Sequence, residues 1–274
     1  IALVTAIGFS QTNSMVKSIQ DVVRWKSRVF DGLTGQATAV VGEHLPHFEQ
    51  VLQEARKHAK RCIVFGRSTS ADIRLRSMRG NADGSWVELD TPDDTVGFYV
   101  PLPGDGMVNN ALSVAAVLHA MGRDLESGMA RIASFESEEG RLQWHTLTWD
   151  GIRTEVLDDS WNAEVESMRN AFSVLALDRR KRNGRKVAVL GRIVHLGDMA
   201  RPLHESLADP LVASGAELVL THGEEMQYLR AVMPSALLGP HFASADDLAS
   251  YLRRELRDGD TVLPKGVRRN SHFG

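Results

Sequence analysis

The 274 residues are 43% hydrophobic and 24% charged, ordinary for a globular protein and enough for one large domain or two smaller ones. A formal net charge of −3 gives no basic footprint for nucleic acid, and no apolar run approaches the length that crosses a bilayer. The one cysteine, Cys62, excludes an internal disulfide framework and a cysteine-rich zinc site, which makes the reducing cytoplasm the expected compartment.

The chain opens on IALVTAIG, which reads as a buried strand at 2–7 with no charged segment or cleavage site ahead of it. A central parallel strand needs neighbours at both edges, so the expectation is that upstream residues or a partner supply the next one. DVVRWKSRVFDGL then predicts a helix over about 17–33, its apolar face built from Ile19, Val22, Val23, Val29, Phe30 and Leu33. Lys26 falls in the middle of that face. A lysine is rarely buried unless it is paired, so this one asks for an explanation.

GQATAVVGEH predicts a strand, PHFEQVLQEARKHAKR an amphipathic helix and RCIVFGRS another strand. This β-α-β-α-β rhythm implies a parallel sheet covered by helices. Between 70 and 100, ADIRLRSM, SWVELDT and VGFYVPLPG alternate apolar and polar residues between Gly, Asp and Pro turns, the pattern of antiparallel strands. NNALSVAAVLHAMG predicts a helix closed by Gly122. A break at FESEEGRLQ places a domain boundary near residue 137. Beyond it, LQWHTLTWDGIRTEVLDDSW predicts a hairpin turning at Asp150-Gly151. KVAVLG, AELVLTHG, SALLG and DTVLPKG are short strands spaced by helices such as SADDLASYLRREL, a second doubly wound unit.

Neither G-x-x-x-x-G-K-[ST] nor a G-x-G-x-x-G between a strand and a helix occurs, so these residues show no strong nucleotide fingerprint. His44 and His47 stand three apart with no third ligand near, which suits surface or capping roles better than a metal. His204 reads as a packing or capping residue. In EVLDDSWNAEVESM, Asp158, Asp159, Ser160 and Asn162 crowd the junction of a strand and a helix. There they either cap that helix or meet a ligand at its electropositive end. Arg141, just after Gly140, either reaches a phosphate or carboxylate bidentately or makes a surface ion pair. Lys265, Arg268 and Arg269 follow the carboxyl end of a strand, where open α/β sheets bind ligands, or form a solvated tail.

The ordered set VTAIG, VVRWKSRVFDGL, LPGDGMVNNALSVAA, FESEEGRLQ, VLDDSWNAEVESM, VAVLG, ADPLVASGAELVLTHG and VLPKG resembles the Mur ligases, ATP-dependent enzymes that form amide bonds in building peptidoglycan. The likeness covers nearly the whole chain and is greatest to their D-alanyl-D-alanine-adding branch. It implies an α/β fold: a partial Mur-ligase central (P-loop ATPase-like) domain over 1–137 and a C-terminal Rossmann-like domain over 138–274. It also implies ATP and Mg²⁺ as cofactors, transfer of the γ-phosphoryl group to a substrate carboxylate, and attack of an amine on the acyl phosphate. Small-molecule or peptide carboxylates and amines are then the partners, with neither nucleic acid nor membrane among them.

By this resemblance Lys26 aligns with the lysine that takes up CO₂ to become a carbamate, an anion that helps fix magnesium. Asn110 and Asp159 align with adenosine contacts, Arg141 with a neighbour of the phosphates, and Ser160 and Asn162 with the substrate side. Gln11 stands near the position of the family's magnesium-binding histidine and is carried over as a metal ligand. The family's P-loop is not among these residues, and would come from upstream or from a partner. Gly104-Asp105-Gly106-Met107-Val108-Asn109-Asn110 keeps only the first and last landmarks of the adenine-side motif. Trp161 and Glu164-Val165 stand where the family has tyrosine and asparagine-proline. Two functional readings follow: an ATP-dependent amide ligase, or a catalytically inactive relative kept as a binding or scaffolding module. A third is a structural domain in which Lys26 merely reaches water.

Overall fold

The computed structural model describes residues 1–9, 16–178 and 184–267, and the chain divides into two units, one closing at Glu136 and the other running on from Ser137.

In the first unit, β1 (Ala2–Val4), β2 (Thr38–Gly42), β3 (Arg61–Gly66) and β4 (Ile73–Gly80) pair in parallel. The antiparallel strands β5 (Ser85–Asp90) and β6 (Thr95–Val100) extend the sheet in the order β1-β2-β3-β4-β5-β6. Its helices are α1 (Ile19–Ser27), α2 (Phe48–His58), α3 (Asp105–Ala120) and α4 (Leu125–Ala130). Every residue of TAVVG in β2 is buried, because helices cover both faces. Val40 packs with Ala111, Leu112 and Ala115 of α3, while Ala39 and Val41 pack with Val22 and Val23 of α1 and Val51 and Leu52 of α2.

Two elements are shorter than the sequence implies. The strand expected at 2–7 is regular only over Ala2–Val4, where β2 pairs with it. The helix expected to reach residue 33 starts at a Ser18–Asp21 capping box and stops at Ser27, giving way to a 3₁₀ turn over Arg28–Phe30. Tighter winding breaks the 100° per residue rhythm there. Phe30 is fully buried, Val29 is 47% exposed, and the apolar face on which Lys26 was centred does not continue.

In the second unit, β7 (Gln143–Trp149) and β8 (Ile152–Asp158) form the expected hairpin, with Asp150 at φ 47° and Gly151 at φ 78°. The helices α5 (Val165–Leu177), α6 (Ala200–Glu205), α7 (Ala208–Ala213), α8 (Met226–Val232) and α9 (Ala245–Glu255) alternate with the strands β9 (Lys186–Gly191), β10 (Leu218–His222), β11 (Leu238–Phe242) and β12 (Thr261–Lys265). The sheet order is β11-β10-β9-β12-β8-β7, parallel except for the hairpin strand β7. From β9 the chain builds outward through β10 and β11, then returns to place β12 on the other side. The carboxyl ends of β9 and β12 therefore flank the switch point where doubly wound sheets bind ligands.

Candidate functional site

At the carboxyl end of β8 the chain leaves the sheet through Asp158-Asp159-Ser160. Asp158 accepts the Ser160 N–H at 3.0 Å. Asp159 donates its own N–H to the Pro264 carbonyl of β12 at 3.1 Å and sits opposite Lys265. The Lys265 ammonium is 2.8 Å from Asp159 Oδ2, and it donates to the carbonyls of Asn162 at 2.8 Å and Asp159 at 3.5 Å. Lys265 is only 1% exposed. Burial pushes the Asp159 carboxyl above its ordinary range, while Lys265 and the Leu142 N–H, which the carboxylate accepts, pull the other way.

These residues do not cap the following helix, contrary to one of the two expectations for them. α5 starts only at Val165, past a short loop, and its entry is held by Glu164 and Ser167, whose Oγ accepts the Glu164 N–H at 3.0 Å. The loop instead docks on the GRL segment. Gly140, at φ +70°, accepts the Trp161 N–H through its carbonyl at 3.0 Å, and the Arg141 guanidinium lies 5.9 Å from the Trp161 ring centre. Arg141 is exposed and 3.1 Å from Glu138, so the surface ion pair expected as its plain role is present. Ser160 is buried and Asn162 exposed. The second unit thus brings Asp159 and Asn162 onto Lys265, with Ser160 between them in the chain and Arg141 beside the Trp161 ring of the same loop. The sequence leaves Lys265 either at the ligand-binding carboxyl end of a strand or in a solvated tail; the structure places it at that strand end, buried. Arg268 and Arg269 lie outside the described residues.

In the first unit, Lys26 is half-buried and its Nζ donates to the Ala6 carbonyl at 2.9 Å. It lines an open cleft of about 580 Å³ with Thr5, Ala6, Trp25, Arg28 and Asp31. Lys26 therefore lies not inside a packed face but at the end of α1, beside the carbonyls that follow β1. Asn110 is exposed on α3, which covers the sheet face opposite to α1. At the start of α3, Asp105 meets Arg67 at 3.3 Å.

His44 Nε2 lies 3.0 Å from the Thr5 carbonyl oxygen, and His47 is the N-cap residue of α2. His204 is fully buried: its Nε2 accepts the Ile193 N–H at 3.1 Å, and Nδ1 lies 2.7 Å from the Ala200 oxygen. It is the packing residue expected. Among the described residues no three His, Cys, Asp or Glu side chains form a metal-holding group, and Gln11 lies outside them. With Lys26 a cation on a carbonyl, the described side chains do not fit a protein-held Mg²⁺.

A model of the Mur ligase middle domain matches residues 1–118, and one described as "Mur ligase, glutamate ligase domain" matches residues 140–268. The UDP-N-acetylmuramoyl-tripeptide–D-alanyl-D-alanine ligase of Escherichia coli K12 is 27% identical over 254 residues, covering 92% of this chain and 54% of that protein. Its Mycobacterium tuberculosis counterpart is 28% identical over 263 residues, covering 84% and 50%. The chain thus spans about half the length of these relatives. A crystal structure of MurF from Acinetobacter baumannii superposes with a TM-score of 0.81 at 22% identity, over 97% of this chain and 56% of that one. MurF from Thermotoga maritima in complex with ADP gives 0.73 at 18%, over 96% and 58%. Among the described residues no helix is long and apolar enough to cross a membrane. With middle-domain and C-terminal models matched in chain order, and with both sheets reproduced in solved relatives, the chain belongs to the Mur ligase family.

Proposed function

We propose that residues 1–137 and 138–274 serve as the central and C-terminal domains of an ATP-dependent ligase that joins a carboxylate to an amine through an acyl phosphate, in cytoplasmic peptidoglycan building. The observation that supports this reading most is the loop after β8. It sits at the carboxyl edge of a doubly wound sheet, holds Asp159 and Asn162 on one buried lysine and sets the Trp161 ring against Arg141. The phosphate-binding loop that the chemistry needs is not among the 274 residues and is supplied, in this reading, by upstream chain or a partner.

In this reading the exposed Arg141 guanidinium turns from Glu138 to the nucleotide phosphates, where its fork offers two parallel N–H donors to developing charge. Within the second unit the Asp159 loop contacts the adenosine and Ser160 and Asn162 face the substrate side; within the first, Asn110 is carried as an adenosine contact by the family resemblance alone. Lys26 acts as a carbamate: its ammonium loses one proton, the free amine Nζ bonds to CO₂, and a second proton leaves the nitrogen, so that an anion replaces a cation at the cleft. Mg²⁺ enters only with the nucleotide phosphates, and no step is assigned to it.

A binding or scaffolding module is the second reading, favoured by the Asp159 carboxylate already held by Lys265 and by the lack of a metal-holding cluster among the described residues. One experiment separates the two. ADP release from ATP by the intact protein that requires both a muramyl-peptide carboxylate and a D-alanyl-D-alanine amine supports the ligase. Nucleotide binding without turnover supports the module.

A further inference from the structure

We propose that Lys265 is the positioning residue of the loop at 159–162, acting through the Asp159 carboxylate and the Asn162 carbonyl and touching no ligand itself. The inference rests on the ligase reading for the identity of the ligand, an adenine nucleotide, and on geometry alone for the loop. Lys265 is the charged residue among the largest fully buried side chains, and its ammonium contacts lie inside the chain, on Asp159 Oδ2, the Asn162 oxygen and the Asp159 oxygen.

The place of this lysine in the sheet explains why the ion pair is needed. Pairing of β12 with β8 runs through Thr261–Glu155 and Val262–Val156 and then lapses. Pro264 has no N–H to give, and the two segments meet again only at Asp159 and Lys265. The ion pair thus joins a single backbone hydrogen bond, from the Asp159 N–H to the Pro264 carbonyl, in holding the chain where the regular ladder has ended and the loop departs. Through the same carboxylate it reaches Leu142, so one ammonium ties the end of β12 to both segments that bear the candidate ligand contacts. The Trp161 N–H on the Gly140 carbonyl then carries Arg141 and the Trp161 ring with it. A buried ion pair stabilises little relative to well-packed apolar residues, so the role assigned here is selection of one loop conformation.

The test uses Lys265→Met, which keeps the stem length and removes the ammonium, in the intact protein. Amide hydrogen exchange at Leu142 and at 159–162 is expected to speed up at least tenfold, with α9 and β10 unchanged. The KM for ATP is expected to rise at least tenfold, well beyond any change in kcat. If Lys265→Met fails to fold, Lys265→Met/Asp159→Asn removes both charges and carries the exchange readout alone, since Asp159 is itself a candidate nucleotide contact. Unchanged exchange at 159–162 overturns the proposal. So does a kcat that falls only with the folded fraction while KM holds, the signature of a merely structural pair. Absence of ATP turnover in the unsubstituted protein defeats the ligase reading, and the exchange measurement then still decides the role of Lys265.

Discussion

The Nζ of Lys26 lies 2.9 Å from the carbonyl oxygen of Ala6, so the lysine that the sequence places on an apolar face instead reaches across the mouth of a cleft to the end of β1. An ammonium there is a donor to a carbonyl; a carbamate keeps one N–H that can make the same bond and adds a carboxylate, whose negative oxygens would have to point away from the Ala6 carbonyl. Under the ligase reading, Lys26→Ala lowers kcat by about 10²-fold or more, the scale of losing one preorganised charged group. Formate or acetate at high concentration restores part of it by supplying a small carboxylate in the vacated space. Steady-state turnover with and without the added acid is the measurement. Undiminished turnover of the alanine variant would remove Lys26 from the chemistry.

A second ion pair holds the second unit together without touching the candidate site. Asp260 is fully buried and accepts from the Arg185 N–H at 2.8 Å, the Arg257 N–H at 2.9 Å and the Arg185 guanidinium at 2.7 Å. The hydrogen bond it accepts from the Arg185 guanidinium, and then its charge, raise the Arg185 pKa above the ordinary arginine value against the opposing effect of burial. Asp260→Ala leaves three donors facing an empty space and is expected to destabilise the protein by about 3 kcal/mol. Urea unfolding followed by circular dichroism reads the loss, and a change under about 1 kcal/mol would show that water replaces the carboxylate.

Much of this framework is legible in the sequence because it depends on local chemistry. TAVVG and VAVLG are apolar without alternation, which only a strand covered on both faces tolerates. The Asp150-Gly151 pair accepts the positive φ values of a tight hairpin. What was not legible depends on distant partners or on changes of winding. Lys265 looks like the start of a solvated tail until Asp159, 106 residues earlier, is seen against it. The apolar count through Val29 assumes an α-helix, and the 3₁₀ turn at Arg28–Phe30 breaks it. Asp158 to Asn162 resemble a helix cap in composition, but Glu164, two residues beyond Asn162, takes that role together with Ser167. Lys26 is singled out by its place on an apolar face, Asp159 by the polar residues crowding a strand–helix junction and Arg141 by the glycine before it; family resemblance supplies their roles, and the ion pair that is one of the two readings of Arg141 is present.

His204 makes stability depend on pH in a definite direction. Burial lowers its pKa below the ordinary histidine value, and Nε2 must stay unprotonated to accept the Ile193 N–H. The folded state therefore binds fewer protons than the unfolded one as pH falls through about 6.5. Stability contributed by neutral His204 is fully present above that pH and is lost below it, by up to about 1.4 kcal/mol per pH unit. His241, also lowered by burial and by Arg230, adds in the same sense. His204→Gln keeps an acceptor for Ile193 but cannot titrate, so its melting temperature should fall less between pH 7 and pH 5 than that of the unsubstituted protein. Equal slopes in the two proteins would show that His204 titrates alike in the folded and unfolded states, so that its burial does not couple stability to pH.

Gly140 is the tightest point of the candidate site. Its φ of +70° is strained for any residue with a Cβ, and a methyl group there would sit 3.1 Å from the Trp161 nitrogen and 3.3 Å from its Cβ. Gly140→Ala therefore faces two penalties, backbone strain and a collision with the loop at 159–162, together about 1–3 kcal/mol. The loop can yield only by lengthening the 3.0 Å hydrogen bond from the Trp161 N–H to the Gly140 carbonyl, which draws the indole away from Arg141. The variant should stay folded, with a lowered melting temperature and an altered near-ultraviolet dichroism band from Trp161. Under the ligase reading its KM for ATP rises, since the guanidinium beside that ring is the group expected to meet the phosphates. A variant with unchanged dichroism and unchanged KM would show that the GRL turn and the loop move independently.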